Sequence, residues 1–177
     1  MNSKEAVNAV LEHRRPDYIP LGTYAIDCDT VRTIIGHETY VRNKVAISKA
    51  LWEGRRDEVA QSVKEDTVEL FEKLPCIDLI VPHKEGLILP PKDYVPDRVK
   101  KIAENIYESE TGYVYRISEL TNDVTVIKNP EIDYTVEFFA GHNYMPPDRS
   151  IFEAYDHVVD HFKDTKYSLK NFVSRLW

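Results

Sequence analysis

The sequence predicts a mixed α/β fold on three observations. Residues 57–74 alternate apolar and charged positions at helical spacing, and Pro75 ends that helix. The run that follows, Ile77 to Val81, is short and almost wholly apolar, as in a strand of a covered parallel sheet. Later, Asn105-Ile106-Tyr107-Glu108 and Tyr113-Val114-Tyr115-Arg116 flank Ser109-Glu110-Thr111-Gly112. That is a hairpin signal, with Gly112 free to take positive φ, and it predicts an antiparallel insertion in the α/β pattern.

The elements follow in order. Asn2 caps a first helix and Glu5, three residues on, reaches back to it. Val7, Val10 and Leu11 give its apolar spacing, and Pro16 is expected to stop it just after Arg14 and Arg15. Ile19 and Leu21 flank Pro20, which cannot donate to a ladder, so this piece reads as a short strand or strand entrance. Asp29 is the expected N-cap of a short helix carrying Val31, Ile34 and Ile35, which Gly36 ends. Thr39 is expected to open a helix with Val41, Val45 and Trp52, and Gly54 to interrupt it. Asp57 is the expected cap of the long helix, whose stripe is Val59, Val63, Leu70, Phe71 and Leu74. Residues 82–99 carry Pro82, Pro90, Pro91 and Pro96 and read as an excursion. Val124 to Ile127 adds a third strand to the hairpin. Ile151, Tyr155, Val158, Val159 and Phe162 form one helical face, and Tyr167 to Leu169 starts another strand. The domain organisation is therefore lead-in helices and first strand (1–75), second strand (76–81), Pro-rich loop and β insertion (82–130) and a helical end (131–177).

Composition narrows the function classes. The chain has 177 residues, 42% of them apolar, and a formal net charge of -7. That balance argues against nucleic acid as a partner, which calls for a basic face, and against anionic membrane. No run approaches the roughly 18 apolar residues of a membrane span. Cys28 and Cys76 are too few for a disulfide framework, so reduced thiols and a cytoplasmic location are expected.

The opening "VLEHRRPDYIPLG", with His13, Pro16, Asp17 and Pro20, resembles the start of the uroporphyrinogen decarboxylase superfamily. "YAIDCDTVRTIIGHETYVRNKVAISKALWEGRRDEV" and "TGYVYRISELTNDVTVIKNP" resemble uncharacterised members of that group, and the resemblance covers roughly residues 3 to 168. It implies a TIM (β/α)8 barrel with its site at the C-terminal ends of the strands. Such a barrel takes about 250 residues, so the chain is expected to be an N-terminal part of one, with lead-in helices and a small antiparallel β-hairpin insertion. Open sheet edges make a homo-oligomer an expected outcome. The superfamily includes the haem-pathway decarboxylase and the corrinoid-dependent methyltransferases. Uroporphyrinogen decarboxylation needs cationic partners for many carboxylates, yet no arginine lies between Arg15 and Arg32. The aspartate that the decarboxylase carries after its next strand has no counterpart in "VPHKEG". The resemblance therefore implies methyl transfer, linked to a corrinoid or another tetrapyrrole, in the intact relative. Zinc and a corrinoid would be its cofactors and a small molecule or corrinoid protein its substrate; none is expected for this chain alone. A non-catalytic ligand- or partner-binding domain is the reading of another class.

Within that frame, Asp27, His83 and His142 are the candidate substrate-binding residues. Asp27 and His83 follow the first and second strands, where the mouth of a barrel lies, and His142 sits in the tight loop "GHNYM". His157 and His161 have a spacing that can hold zinc, but both point off the apolar face of their helix and read as a solvated surface. Asp78, inside an apolar strand, needs a partner, expected to be a structural ion pair. Cys28 reads as core packing.

Overall fold

The structure, a computed structural model, describes residues 1–82, 84–141, 146 and 148–168. Helices α1 (Ser3–Leu11), α2 (Cys28–Ile35), α3 (Lys44–Trp52) and α4 (Arg56–Lys73) precede strand β1 (Leu79–Ile80). Strands β2 (Val99–Ala103), β3 (Ile106–Ser109), β4 (Val114–Ser118) and β5 (Asp123–Lys128) follow. Then come α5 (Val136–Ala140), a 3-10 turn (Arg149–Phe152), α6 (Glu153–His161) and β6 (Tyr167–Ser168).

Two small sheets divide the strands. In the first, Gly22 bridges Leu79 and Leu79 pairs with Tyr167, both in parallel register. Successive side chains on a strand alternate, so Gly22, Leu79 and Tyr167 share one face while Ile80 points to the other. Ile80 is fully buried in one cluster with Val31, Val63, Leu70, Phe71 and Val158, drawn from α2, α4 and α6. Phe71 of α4 meets Phe162 edge to face at 6.4 Å, joining the helix that precedes β1 to the end of the helix that precedes β6. Gly22 lies so close to β1 that a Cβ there would sit 3.1 Å from Leu79 Cδ2.

The N-terminal ends of these strands are tied together by Asp78. Its carboxylate accepts from Ser3 Oγ (2.5 Å), Tyr18 Oη (2.7 Å) and the Leu21 amide (2.9 Å). Burial alone would raise its pKa, but the bonds from Ser3, Leu21 and Tyr18 and the charge of Lys166 outweigh that and hold it below the ordinary value. The expected ion pair is thus replaced by hydrogen bonds: the buried Lys166 Nζ donates instead to the carbonyls of Ile77 (2.5 Å) and Leu74 (3.2 Å). Those carbonyls follow the end of α4, where a cation suits the helix dipole.

The second sheet is antiparallel with order β2-β3-β4-β5. Gly112 takes φ 89° in the β3–β4 turn, whose partners are Tyr107 opposite Tyr115 and Ile106 opposite Arg116. Trp52 of α3 packs on Tyr107 and Tyr115, each 5.4 Å away between ring centres, fixing the sheet to the helical layer. Strand β2 was hidden in the sequence, because its Lys100-Lys101 pair lies on an exposed edge without apolar alternation.

Several boundaries differ from the sequence reading. α1 has the expected capping box between Asn2 and Glu5 but ends at Leu11, not at Arg15. His13 adopts φ 56°, and the His13 and Arg14 amides donate back to Val10 and Ala9, a Schellman closure that Pro16 does not cause. Asp27, not Asp29, occupies the N-cap of α2; Asp29 pairs with Arg32 at 3.0 Å. Thr39 opens no helix: its hydroxyl donates to Asp66 at 2.6 Å, and Asn43 caps α3. Asp57 lies in the first turn of α4, after an N-cap at Arg55.

Candidate functional site

The parallel strands give the molecule two unlike ends. At the N-terminal end, an open depression of about 530 Å³ borders Ser3, Tyr18 and Asp78, whose polar groups are paired with one another. At the C-terminal end the polar groups are not all satisfied, and there the candidate site lies.

Glu85 is its central group. The chain leaves β1 through Val81 and Pro82, and Gly86 takes φ 82° to complete the turn. The Glu85 side chain is fully buried. Its Oε2 accepts from the Ile26 amide, just beyond the first strand segment, at a long 3.4 Å. Its Oε1 is buried without a partner among the described residues. Burial pushes the Glu85 carboxyl up to about 7, because the Ile26 amide and the Arg42 charge only partly offset the loss of water.

Arg42 approaches from the α2–α3 loop. Its Nη1 donates to the Lys84 carbonyl at 2.8 Å, while its buried Nε has no partner among the described residues. Its backbone sits at φ 59°, a left-handed conformation that costs a non-glycine residue about 1–2 kcal/mol. The antiparallel sheet holds it there. Asn122, in the β4–β5 turn, donates from Nδ2 to the Arg42 carbonyl and accepts from the Val45 amide, both at 3.1 Å. Lys44 pairs with Asp123 at 2.8 Å and Lys49 with Glu119 at 2.6 Å, adding surface attachments to the same turn. The insertion thus positions a cation beside the orphaned carboxyl.

Lys84 Nζ lies 5.0 Å above the ring of the exposed Tyr24, a cation–π contact between the segments that follow Gly22 and β1. Asp27 is exposed nearby in sequence, but one carboxylate oxygen is engaged locally, accepting from Thr30 Oγ1 at 3.0 Å. That bond, first among its causes, holds the Asp27 carboxyl below the ordinary value and keeps it ionised. His83 and His142 lie outside the described residues. Cys28 is buried, and burial raises its thiol, the state of an unreactive cysteine. His161 Nε2 meets Glu72 at 2.9 Å, and His157 does not join it in a metal cluster among the described residues.

Sequence reasoning missed Glu85 and Arg42. In "VPHKEG" the glutamate looks like one more loop charge; only the fold reveals that the Pro82–Gly86 turn buries it. Arg42 has no local signal either, since a left-handed arginine looks like any other surface residue in a string.

No family model, curated protein or solved structure matches the chain.

Proposed function

We propose that the chain forms the first strands and covering helices of a uroporphyrinogen decarboxylase-like (β/α)8 barrel, with Glu85 as the proton-handling group at its mouth. The observation that carries the reading is a fully buried carboxyl with an unpartnered oxygen at the C-terminal ends of parallel strands. Three features support it. The segments containing Gly22, Leu79 and Tyr167 run parallel in sequence order, as successive barrel strands do. The helices of the buried cluster pack on the Ile80 face, while Leu79 and Tyr167, half-buried, lie on the other, the side of a barrel interior. α1 crosses the Asp78 end through Ser3, leaving the Glu85 end for a ligand.

A carboxyl with a pKa near 7 exchanges protons readily at neutral pH, the property of a general acid or base. The reaction class is methyl transfer linked to a corrinoid or related tetrapyrrole. The residues present fit such a ligand in two respects. The exposed Tyr24 ring with Lys84 offers a flat cationic edge, and the buried Glu85 carboxyl of the same turn can hold or release a proton near neutral pH. The bound corrinoid would carry the methyl group; Tyr24 and Lys84 would contact it, Glu85 would hold a proton within the turn, and Arg42 would brace that turn through the Lys84 carbonyl. Zinc, where the family uses it, finds no His–Cys set among the described mouth residues.

Titration with hydroxocobalamin and with uroporphyrin, followed by equilibrium dialysis, tests the proposal. The expected result is saturable cobalamin uptake that Tyr24→Ala weakens at least about tenfold, the loss of one good contact. Uptake of neither compound overturns the ligand reading, and uroporphyrin binding tighter than cobalamin replaces methyl transfer by decarboxylation.

A further inference from the structure

A second group of chemistry-bearing side chains lies away from the strand ends, on α4 and the turn after α2. Asp66 and Glu69 are three apart on α4 and so share one face. Gly36, with φ 90°, turns the chain at the end of α2 and delivers His37 to that face. One ligand-type atom from each of the three residues lies within 4.8 Å of the others.

We propose that His37, Asp66 and Glu69 bind one divalent transition-metal ion, zinc in the first instance. The ring orientation of His37 is the argument from outside the cluster. Its Nδ1 lies 3.0 Å from the Glu38 carbonyl, which can only accept, so Nδ1 carries a hydrogen. That bond directs Nε2 at the two carboxylates, with Glu69 Oε2 3.0 Å away. Metal-bound imidazoles are commonly oriented in this way, with the far nitrogen donating to a backbone carbonyl.

The carboxylates are held from behind in the same manner. Asp66 is buried, and its Oδ2 accepts from Thr39 Oγ1 (2.6 Å) and Ser62 Oγ (2.5 Å). Its Oδ1 accepts no hydrogen bond among the described residues. Lys73 Nζ pairs with Glu69 Oε1 at 2.7 Å and donates to the Ile35 carbonyl at 2.8 Å, leaving Oε2 to face His37. Zinc bonds of about 2.0–2.2 Å to nitrogen and oxygen set tetrahedral ligands about 3.3 Å apart. The His37–Glu69 pair already stands near that separation, and an Asp66 oxygen lies within 4.8 Å of both. Once an ion displaces the Nε2 hydrogen that His37 shares with Glu69, the ring is a neutral ligand, and two carboxylates with Lys73 leave a local charge of one negative for a dication. His37 is exposed and Glu69 half-exposed, so water can take the fourth position, an open three-ligand arrangement.

The test is equilibrium dialysis of the full chain against ZnCl2, with Co2+ absorption as a second readout of nitrogen and oxygen ligation. One equivalent of zinc per chain is expected, weakened at least about tenfold in His37→Ala, an exposed position, and in Glu69→Gln, a half-exposed one. Amide NMR spectra of both variants check that they fold. His161→Ala, which removes the separate His161–Glu72 pair, is expected to leave uptake unchanged. Absence of stoichiometric uptake, uptake indifferent to His37→Ala, or uptake lost in His161→Ala would each overturn the proposal. Because this site and Glu85 share no residue, its failure leaves the reading of the mouth untouched.

Discussion

Replacing Glu85 by glutamine removes a titratable group from the interior without changing its shape. In the native protein its carboxyl is raised from 4.5 to about 7. The folded state therefore holds the proton more tightly than the unfolded chain. Stability from this group is fully present below pH 4.5 and is lost as pH rises towards 7. Each pKa unit is worth 1.36 kcal/mol, so the 2.5-unit difference corresponds to about 3 kcal/mol lost between pH 4 and pH 8. Glutamine does not titrate, and its carbonyl can keep the Ile26 bond. Its buried amide hydrogens lack acceptors at the Oε1 position, a pH-independent cost of about 1–3 kcal/mol. Urea unfolding of both proteins at pH steps from 4.5 to 8 separates these effects. The wild-type-minus-variant free energy should fall by about 3 kcal/mol across the range, since other groups cancel in the difference. A difference that stays level within about 0.5 kcal/mol, the resolution of such a series, would show that Glu85 titrates normally and refute its burial.

Three further outcomes are expected. Asp78→Ala removes the acceptor for Ser3, Tyr18 and Leu21; partial rescue by water at the exposed Tyr18 limits the loss to about 2–4 kcal/mol, read as a lower urea midpoint. Because the Asp78 carboxyl is held below its ordinary value, its contribution is present above the usual carboxylate range and lost as pH falls through the lowered pKa, so the variant should show a shallower acid limb. Lys166→Met keeps the apolar stem but strands the Ile77 and Leu74 carbonyls, costing about 1–3 kcal/mol by thermal or urea unfolding at neutral pH. Phe71→Ala leaves a cavity opposite Phe162 in the buried core and should cost about 3–5 kcal/mol; a loss under 1 kcal/mol would mean that α4 and α6 do not pack as described.

Local signals in the sequence are legible where they are self-contained. The Asn2–Glu5 capping box, the glycine stop at Gly36, the α4 stripe and the Gly112 hairpin are each decided by residues a few positions apart. The string misleads where a distant partner decides. Thr39 looks like a helix cap until Asp66, 27 residues on, takes its hydroxyl. Asp78 looks like half of an ion pair until α1 and the first strand segment supply neutral donors. Asp27 and Asp29 are equally good caps on paper, and the path of the chain out of the first strand selects the earlier one. The candidate site was the least legible part, because a buried loop glutamate and a left-handed arginine acquire their character only from burial and from the Asn122 turn.

The parallel alignment of the three strand segments is the foundation of the barrel reading, and amide NMR reaches it directly. The amides of Asp78 and Leu79 bond to the Leu21 carbonyl (2.8 and 3.1 Å), Thr23 to Leu79 (3.3 Å) and Tyr167 to Asp78 (2.8 Å). Slow hydrogen exchange at these four amides is expected, with nuclear Overhauser contacts from Gly22 to Leu79 and from Leu79 to Tyr167 in the amide-to-α pattern of parallel strands. Fast exchange throughout, or the close α-to-α contacts of antiparallel pairs, would contradict it.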